Sequence, residues 1–258
     1  MTLARHAGAA LVAAVVIWAL SVSLSSFRDY QIADIAVYVV AIAGLTVLIG
    51  LSGQISLGNG AFMAIGAYAT ALLQMHLGWP LWALFPASAA IAAVAGVAAG
   101  AAAALAGLNV ARLRILAFIV SAACAGLAGS MLAVYSSQVS PGSFTVTLSI
   151  ALVTGAVIGG LGSLAGALWG SLVIVLVPTY VTDVATSHGL SSAVAANIPV
   201  AAYGVVLIVV ILIFPDGIQG GLRRLFGLPP PTAAVPLARL NSFRRRPPAS
   251  EHQEEGTT

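Results

Sequence analysis

Residues 32–77 read IADIAVYVVAIAGLTVLIGLSGQISLGNGAFMAIGAYATALLQMHL, two apolar runs flanking a short, polar, glycine-rich break at Leu51–Gly60. Each run approaches the roughly 20 residues that a helix needs to cross the hydrocarbon core of a bilayer. The charges agree with this reading. After Asp34 no charged residue occurs until Arg112, which leaves the 77 residues 35–111 without one. A soluble domain carries about a quarter charged residues, so this stretch predicts helices that live in lipid.

The rest of the chain has the same character. Of 258 residues 60% are apolar and 7% charged, with a mean hydropathy of +1.06. About 155 apolar residues, at roughly 20 per crossing, supply about seven or eight helices. All ten basic residues are Arg, and the formal charge is +3. The arginines lie at segment ends, which marks them as topogenic residues of cytoplasmic loops and not as a nucleic-acid surface. Membrane lipid is the expected surrounding and no nucleic-acid partner is expected. The single cysteine, Cys124, sits in an apolar run and reads as a small packing residue.

The first 27 residues carry Arg5 and His6 before an apolar run to Leu20. They resemble a signal peptide, but the run is longer than a usual signal core and opens a chain apolar throughout. An uncleaved first span is expected. Further spans are predicted at Ile32–Gly50, Ala61–Leu77, Leu81–Leu105, Ile115–Tyr135 and Ile198–Phe214. Residues 145–177 form a longer apolar stretch, interrupted by Gly159-Gly160-Leu161-Gly162, and Asp183 and His188 read as part of a following loop. If Arg5, Arg112/Arg114 and Arg223/Arg224 share the cytoplasmic side, the spans between each pair must be even in number. That makes 145–177 a hairpin turning at Gly159–Gly162, with short and partly re-entrant arms. The expected fold is all-α: a polytopic transmembrane bundle of about eight spans with broken or re-entrant helices, over residues 1–226. The tail 227–258 holds six prolines and few large apolar residues, so a disordered cytoplasmic segment is expected there.

Small residues recur every fourth position at Gly162/Gly166/Gly170, Gly96/Gly100, Gly155/Gly159 and Ala122/Gly126/Ser130. Such stripes let membrane helices approach closely, either within one chain or between subunits. The break at Gly53–Gly60 also has two readings. Non-helical backbone at membrane depth survives only inside protein or beside water, and transporters use such broken helices to hold polar ligands. The alternative is an ordinary cytoplasmic turn. Gln54, Ser56 and Asn59 are the candidate pathway residues, with Thr154 and Ser163 behind them. No pair of acidic residues is spaced for acid–base work, the four histidines lack ligand spacing, and no phosphate-loop motif follows the glycines. No catalysis, metal or cofactor is expected.

Residues 50–73 resemble the signature of the permease subunits of branched-chain amino acid ABC importers, a G-Q-[IL]-S-[LF]-G-H-x-A-F pattern followed by G-A-Y. Gln54, Ser56, Gly58, Ala61, Phe62, Gly66 and Tyr68 match, while Asn59 stands in place of the usual His. Ala106-Gly107-Leu108-Asn109-Val110 resembles the family's A-x-G-[IL]-N-V stretch, and Gly159–Ser163 and Phe214–Gly217 resemble two further elements. The resemblance implies a permease for branched-chain or related amino acids in the bacterial inner membrane. It also implies a second permease subunit, two ATPase subunits that hydrolyse ATP, and an external substrate-binding protein. Gly107, Leu108, Asn109 and Val110 then mark the ATPase-coupling segment. Family members usually carry an Arg/Glu-rich cytoplasmic helix before that segment; here the Ala-rich span to Leu105 runs straight into it. An internally shortened, uncoupled membrane protein is therefore an alternative, and a permease for urea or short amides is another.

Overall fold

The computed structural model describes residues 26–53, 56–105, 112–137, 139–187, 192–214 and 216–225. The expected first span, the tail, Gln54 and the Gly107–Val110 segment lie outside the described residues. Eight α-helices appear among those described: α1 (Ser26–Ser52), α2 (Asn59–Leu77), α3 (Leu81–Leu105), α4 (Arg112–Ser136), α5 (Val146–Gly159), α6 (Leu164–Ser187), α7 (Ser192–Ile213) and α8 (Gly217–Leu225). A single 3-10 turn, Pro141–Ser143, precedes α5, and no strand occurs among the described residues. Among the described residues, six segments are long and apolar enough to cross a membrane. Helix α5, with 14 residues, rises about 21 Å, less than the roughly 30 Å hydrocarbon core. The chain is an all-α, polytopic membrane protein.

Helix α4 is the hub. Helices α1, α2 and α3 all pack on it, α5 pairs with α6, α6 also rests on α1, and α7 lies against α6. Ile42, Leu45 and Leu48 of α1, Met63 of α2 and Leu152 of α5 are fully buried between them. The outer face is just as apolar: Met75 is 79% and Leu212 78% exposed. Surrounded by lipid, such residues need no cover, so burial of apolar area does not by itself hold this bundle together. Close approach does. A methyl group on Gly66 would overlap the Gly126 carbonyl, and one on Gly129 the Met63 carbonyl, so α2 and α4 touch backbone to backbone. The stripe Ala122/Gly126/Ser130 therefore serves packing within the chain. In the other stripe Gly166 and Gly170 meet the backbone of Gly159 and Gly155, but Gly162 has φ +79° with nothing near its missing side chain. It is a turn residue, which restricts the expected packing repeat to its last two members.

The hairpin at Gly159–Gly162 is present, and α3 has the expected limits. Two expectations are corrected, and one element is added. Helix α1 begins at Ser26, six residues before the expected start at Ile32, and so takes in Asp29 as well as Asp34; an acidic residue in the first turn, here Asp29, suits the positive end of a helix. Helix α6 continues through Pro178 to Ser187, so Asp183 is helical and not in a loop. The segment after Pro215 forms a further short helix, α8.

The contacts order the two ends of the bundle. Asp34 of α1 meets Tyr135 near the end of α4. At the opposite end Gly50 lies beside Gly162 and Gly160 beside Gly217, so α8, with Arg223 and Arg224, shares that end with Arg114 at the start of α4.

Candidate substrate pathway

Gly44 of α1 abuts α4 at Ser121: a Cβ there would lie 3.2 Å from the Ser121 carbonyl oxygen. From Gly44, α1 runs on for eight residues to Ser52, about 12 Å further toward the Arg114 end. It stops at Gly53, whose φ of +66° is left-handed and whose N–H donates to the Ile49 carbonyl at 2.8 Å. Yet α2 begins back at the depth of Ser121, since the Ser121 hydroxyl faces Asn59 Oδ1 at 3.5 Å. The first residue of α2 therefore lies about 12 Å deeper in the bundle than the last of α1. An ordinary turn at the membrane surface would place the first residue of α2 level with the last of α1, so the break is a re-entrant one.

The first turn of α2 is wedged between α4 and α5. The Gly60 N–H donates to the Ser149 hydroxyl of α5 at 3.0 Å, and Ser149 is itself buried. Gly58, at the N-cap, supplies no side-chain cap, and its carbonyl accepts from Ala61 and Phe62. Asn59 is 1% exposed, and its Nδ2 has no hydrogen-bond partner among the described residues. An unpaired buried amide costs about 1–3 kcal/mol. The positive end of a 19-residue helix and an uncommitted amide donor thus lie together at mid-depth, an arrangement suited to a carboxylate or carbonyl oxygen.

The other candidates fall differently. The Ser56 hydroxyl accepts from the Gly58 N–H at 3.2 Å and shapes the approach to α2. Thr154 is half-buried on α5. Ser163 accepts from the Gly166 N–H at 3.4 Å and caps α6. Further along the α2/α3/α4 contact, Thr70 is 2.6 Å from both Ser88 and Ser130 and also donates to the Gly66 carbonyl, a hydroxyl cluster closed on itself. No group of three or more His, Cys, Asp or Glu side chains gathers among the described residues.

At the Asp34 end lies a cavity of about 410 Å³ lined in part by Tyr30, Asp34, Tyr38, Tyr135, Phe144 and Leu148. Sequence reasoning passed over it because its residues come from α1, α4, α5 and the intervening turn. The one available signal was an acidic residue beside tyrosines in an otherwise uncharged run.

The second break supports α8. The Trp169 indole N–H donates to Gln219 Oε1 at 3.0 Å, and Arg224 pairs with Asp216.

The family model described as branched-chain amino acid transport system / permease component matches residues 27–103 and 100–215. The chain is 41% identical over 81 residues to the high-affinity branched-chain amino acid transport system permease protein LivM of Salmonella typhimurium, covering 30% of this chain and 18% of that one. It is 46% identical over 50 residues to LivM of Escherichia coli K12, covering 19% of this chain and 12% of the relative. The chain thus spans less than a fifth of the length of either relative in these matches. No solved structure matches. With the family model covering most of its length, and a helix broken at mid-depth within the matched region, the chain belongs to the branched-chain amino acid transport permease family.

Proposed function

We propose that this chain is a permease subunit of an ABC importer that moves branched-chain or related amino acids across the bacterial inner membrane. Partner ATPases drive it, a second permease subunit completes the pathway, and an external binding protein delivers the substrate. The observation that carries the reading is the re-entrant start of α2, with the Asn59 amide unpartnered and 1% exposed beside Ser121. This is a closed, preorganised polar point inside an apolar bundle. It suits one polar end of a zwitterion, while the apolar walls accept an aliphatic side chain. The LivM relatives carry branched-chain amino acid transport in their names, which supports the substrate class.

The test is uptake of radiolabelled leucine by the assembled transporter. The combined substitution Gln54→Ala and Asn59→Ala is expected to lower uptake at least tenfold with the protein still present in the membrane. Undiminished uptake would remove the pathway assignment.

A second reading has its own observation. The family match falls into two segments that meet at residues 100–103, just before the proposed coupling segment Gly107–Val110. An internally shortened chain would move substrate without coupling to ATP. Co-purification with an ATPase subunit, and leucine uptake that stops on ATP depletion, favours the coupled permease over this alternative.

A further inference from the structure

We propose that the cavity at the Asp34 end is a recognition site for a primary ammonium group carried on an aliphatic body. This deepens the permease reading and rests on it. Asp34 lies within the membrane-span candidate Arg28–Ser52 and is only half-buried, because it opens into the cavity. Its Oδ1 accepts from the Tyr135 hydroxyl at 3.1 Å. Among the described residues it takes part in no ion pair; the pair that is present, Arg224–Asp216, is at the other end of the bundle. Carboxylates within a span are costly, and their partners mark ligand paths. One tyrosine hydroxyl satisfies hydrogen bonding but not charge.

The surroundings specify which cation completes the site. The Tyr30 and Tyr135 rings lie 4.8 Å apart at 58°, beside the carboxylate. Aromatic faces next to a carboxylate attract an organic ammonium through the ring quadrupole. Leu132, Val139 and Leu148 line the remaining wall and suit a branched aliphatic chain. A bare divalent metal ion favours several carboxylate or carbonyl oxygens, whereas this cavity offers one carboxylate, with its other side-chain oxygens being the hydroxyls of Tyr30, Tyr38, Tyr135, Ser136 and Ser143. No basic residue lines it, so an anionic group has no partner there. By the rise of α1 between Asp34 and Gly44, the cavity lies about 15 Å from the start of α2, too far for the ammonium and carboxylate of one amino acid to reach both, so the two are separate stations on the path.

The discriminating experiment compares leucine with its α-hydroxy analogue, 2-hydroxy-4-methylpentanoate, in uptake by the assembled transporter in cells lacking other leucine carriers. The unsubstituted protein is expected to favour leucine at least tenfold. Asp34→Asn is expected to abolish that preference by depressing leucine uptake alone, and Asp34→Glu to restore part of it. Tyr30 is 52% exposed, so Tyr30→Leu tests the site without relying on a buried change; leucine KM is expected to rise several-fold and that of the hydroxy analogue to stay. An intact leucine preference in both Asp34→Asn and Tyr30→Leu overturns the inference and leaves the permease reading standing. An unsubstituted complex that moves neither compound overturns the permease reading and this inference together.

Discussion

The Ser121 hydroxyl and the Asn59 side-chain carbonyl lie 3.5 Å apart, although Ser121 is nine residues inside α4 and Asn59 is the first residue of α2. That single proximity fixes the depth at which α2 starts. It sets the first turn of α2 inside the bundle, held by Ser149 on one side and Ser121 on the other. Non-helical backbone persists at depth only inside protein or beside water; α4 and α5 enclose Asn59 and Gly60, while Gly53, Leu57 and Gly58 are exposed.

Asn59 separates transport from stability. Its Nδ2 is buried without a partner, so the folded state gains little from it. Asn59→Leu, similar in size, is expected to leave the melting temperature in detergent unchanged or raise it, by up to about 1 kcal/mol of stability. Leucine uptake is expected to fall at least tenfold. A large loss of thermal stability in this variant would show that the amide is structural.

Much of this fold is legible in the order of residues. The charge-free runs give the helices, and the limits Leu81–Leu105 follow from Pro80 before the run and the loss of apolar pattern after it. The turn at Gly159–Gly162 is readable because Gly160 and Gly162 have positive φ, where other residues are strained. The site is much less legible. Asn59 and Ser121 are 62 residues apart, and Asp34 and Tyr135 are 101 apart; neither pairing leaves a local mark. The start of α1 was expected too late, at Ile32, because Arg28, Asp29 and Gln31 look like loop residues, whereas helix α1 accommodates them in its first turns. Helix α8 escaped notice because nine residues with three glycines carry little helical signal, and docking on Gly160 and Trp169 holds it in place.

Two glycines predict opposite signs. A side chain on Gly66 meets the Gly126 backbone, while nothing lies within 4 Å of one on Gly204. Gly66→Ala is expected to destabilise by about 1–3 kcal/mol through forced separation of α2 and α4. Gly204→Ala, in the exposed middle of α7, is expected to be neutral or to stabilise by up to about 1 kcal/mol. Thermal melts of the two variants in the same detergent check this, and equal shifts would contradict the packing account.

The hydroxyl cluster predicts non-additivity. Thr70 contacts Ser88 and Ser130 at 2.6 Å each, all three buried. Hydrogen bonds between membrane helices are worth about 0.6 kcal/mol on average, and up to about 1.7. Thr70→Val removes both links and leaves two hydroxyls to find new partners, so a loss of about 1–2 kcal/mol is expected. Ser88→Ala and Ser130→Ala added to Thr70→Val are expected to cost less than the three single losses together, since no orphaned hydroxyl remains. Additive losses in a mutant cycle would mean the three groups act independently.

Helix α8 predicts a change in proteolysis. Gly217 has φ +77°, and a side chain there would overlap the Gly160 backbone. Gly217→Val combines a strained conformation, costing about 1–2 kcal/mol for an L-residue, with a direct clash. The helix is expected to leave the Gly159–Gly162 turn and break the Trp169–Gln219 hydrogen bond. Trypsin cuts a helix only after it opens locally, so cleavage after Arg223 or Arg224, followed by mass spectrometry of the truncated chain, reports the detachment. The rate is expected to rise at least tenfold in Gly217→Val, while Gly78→Val, at a positive-φ glycine with open space around it, leaves it unchanged. Equal cleavage in the two variants would mean that α8 does not depend on the Gly160 contact and that its position is set by Trp169 and the chain before it.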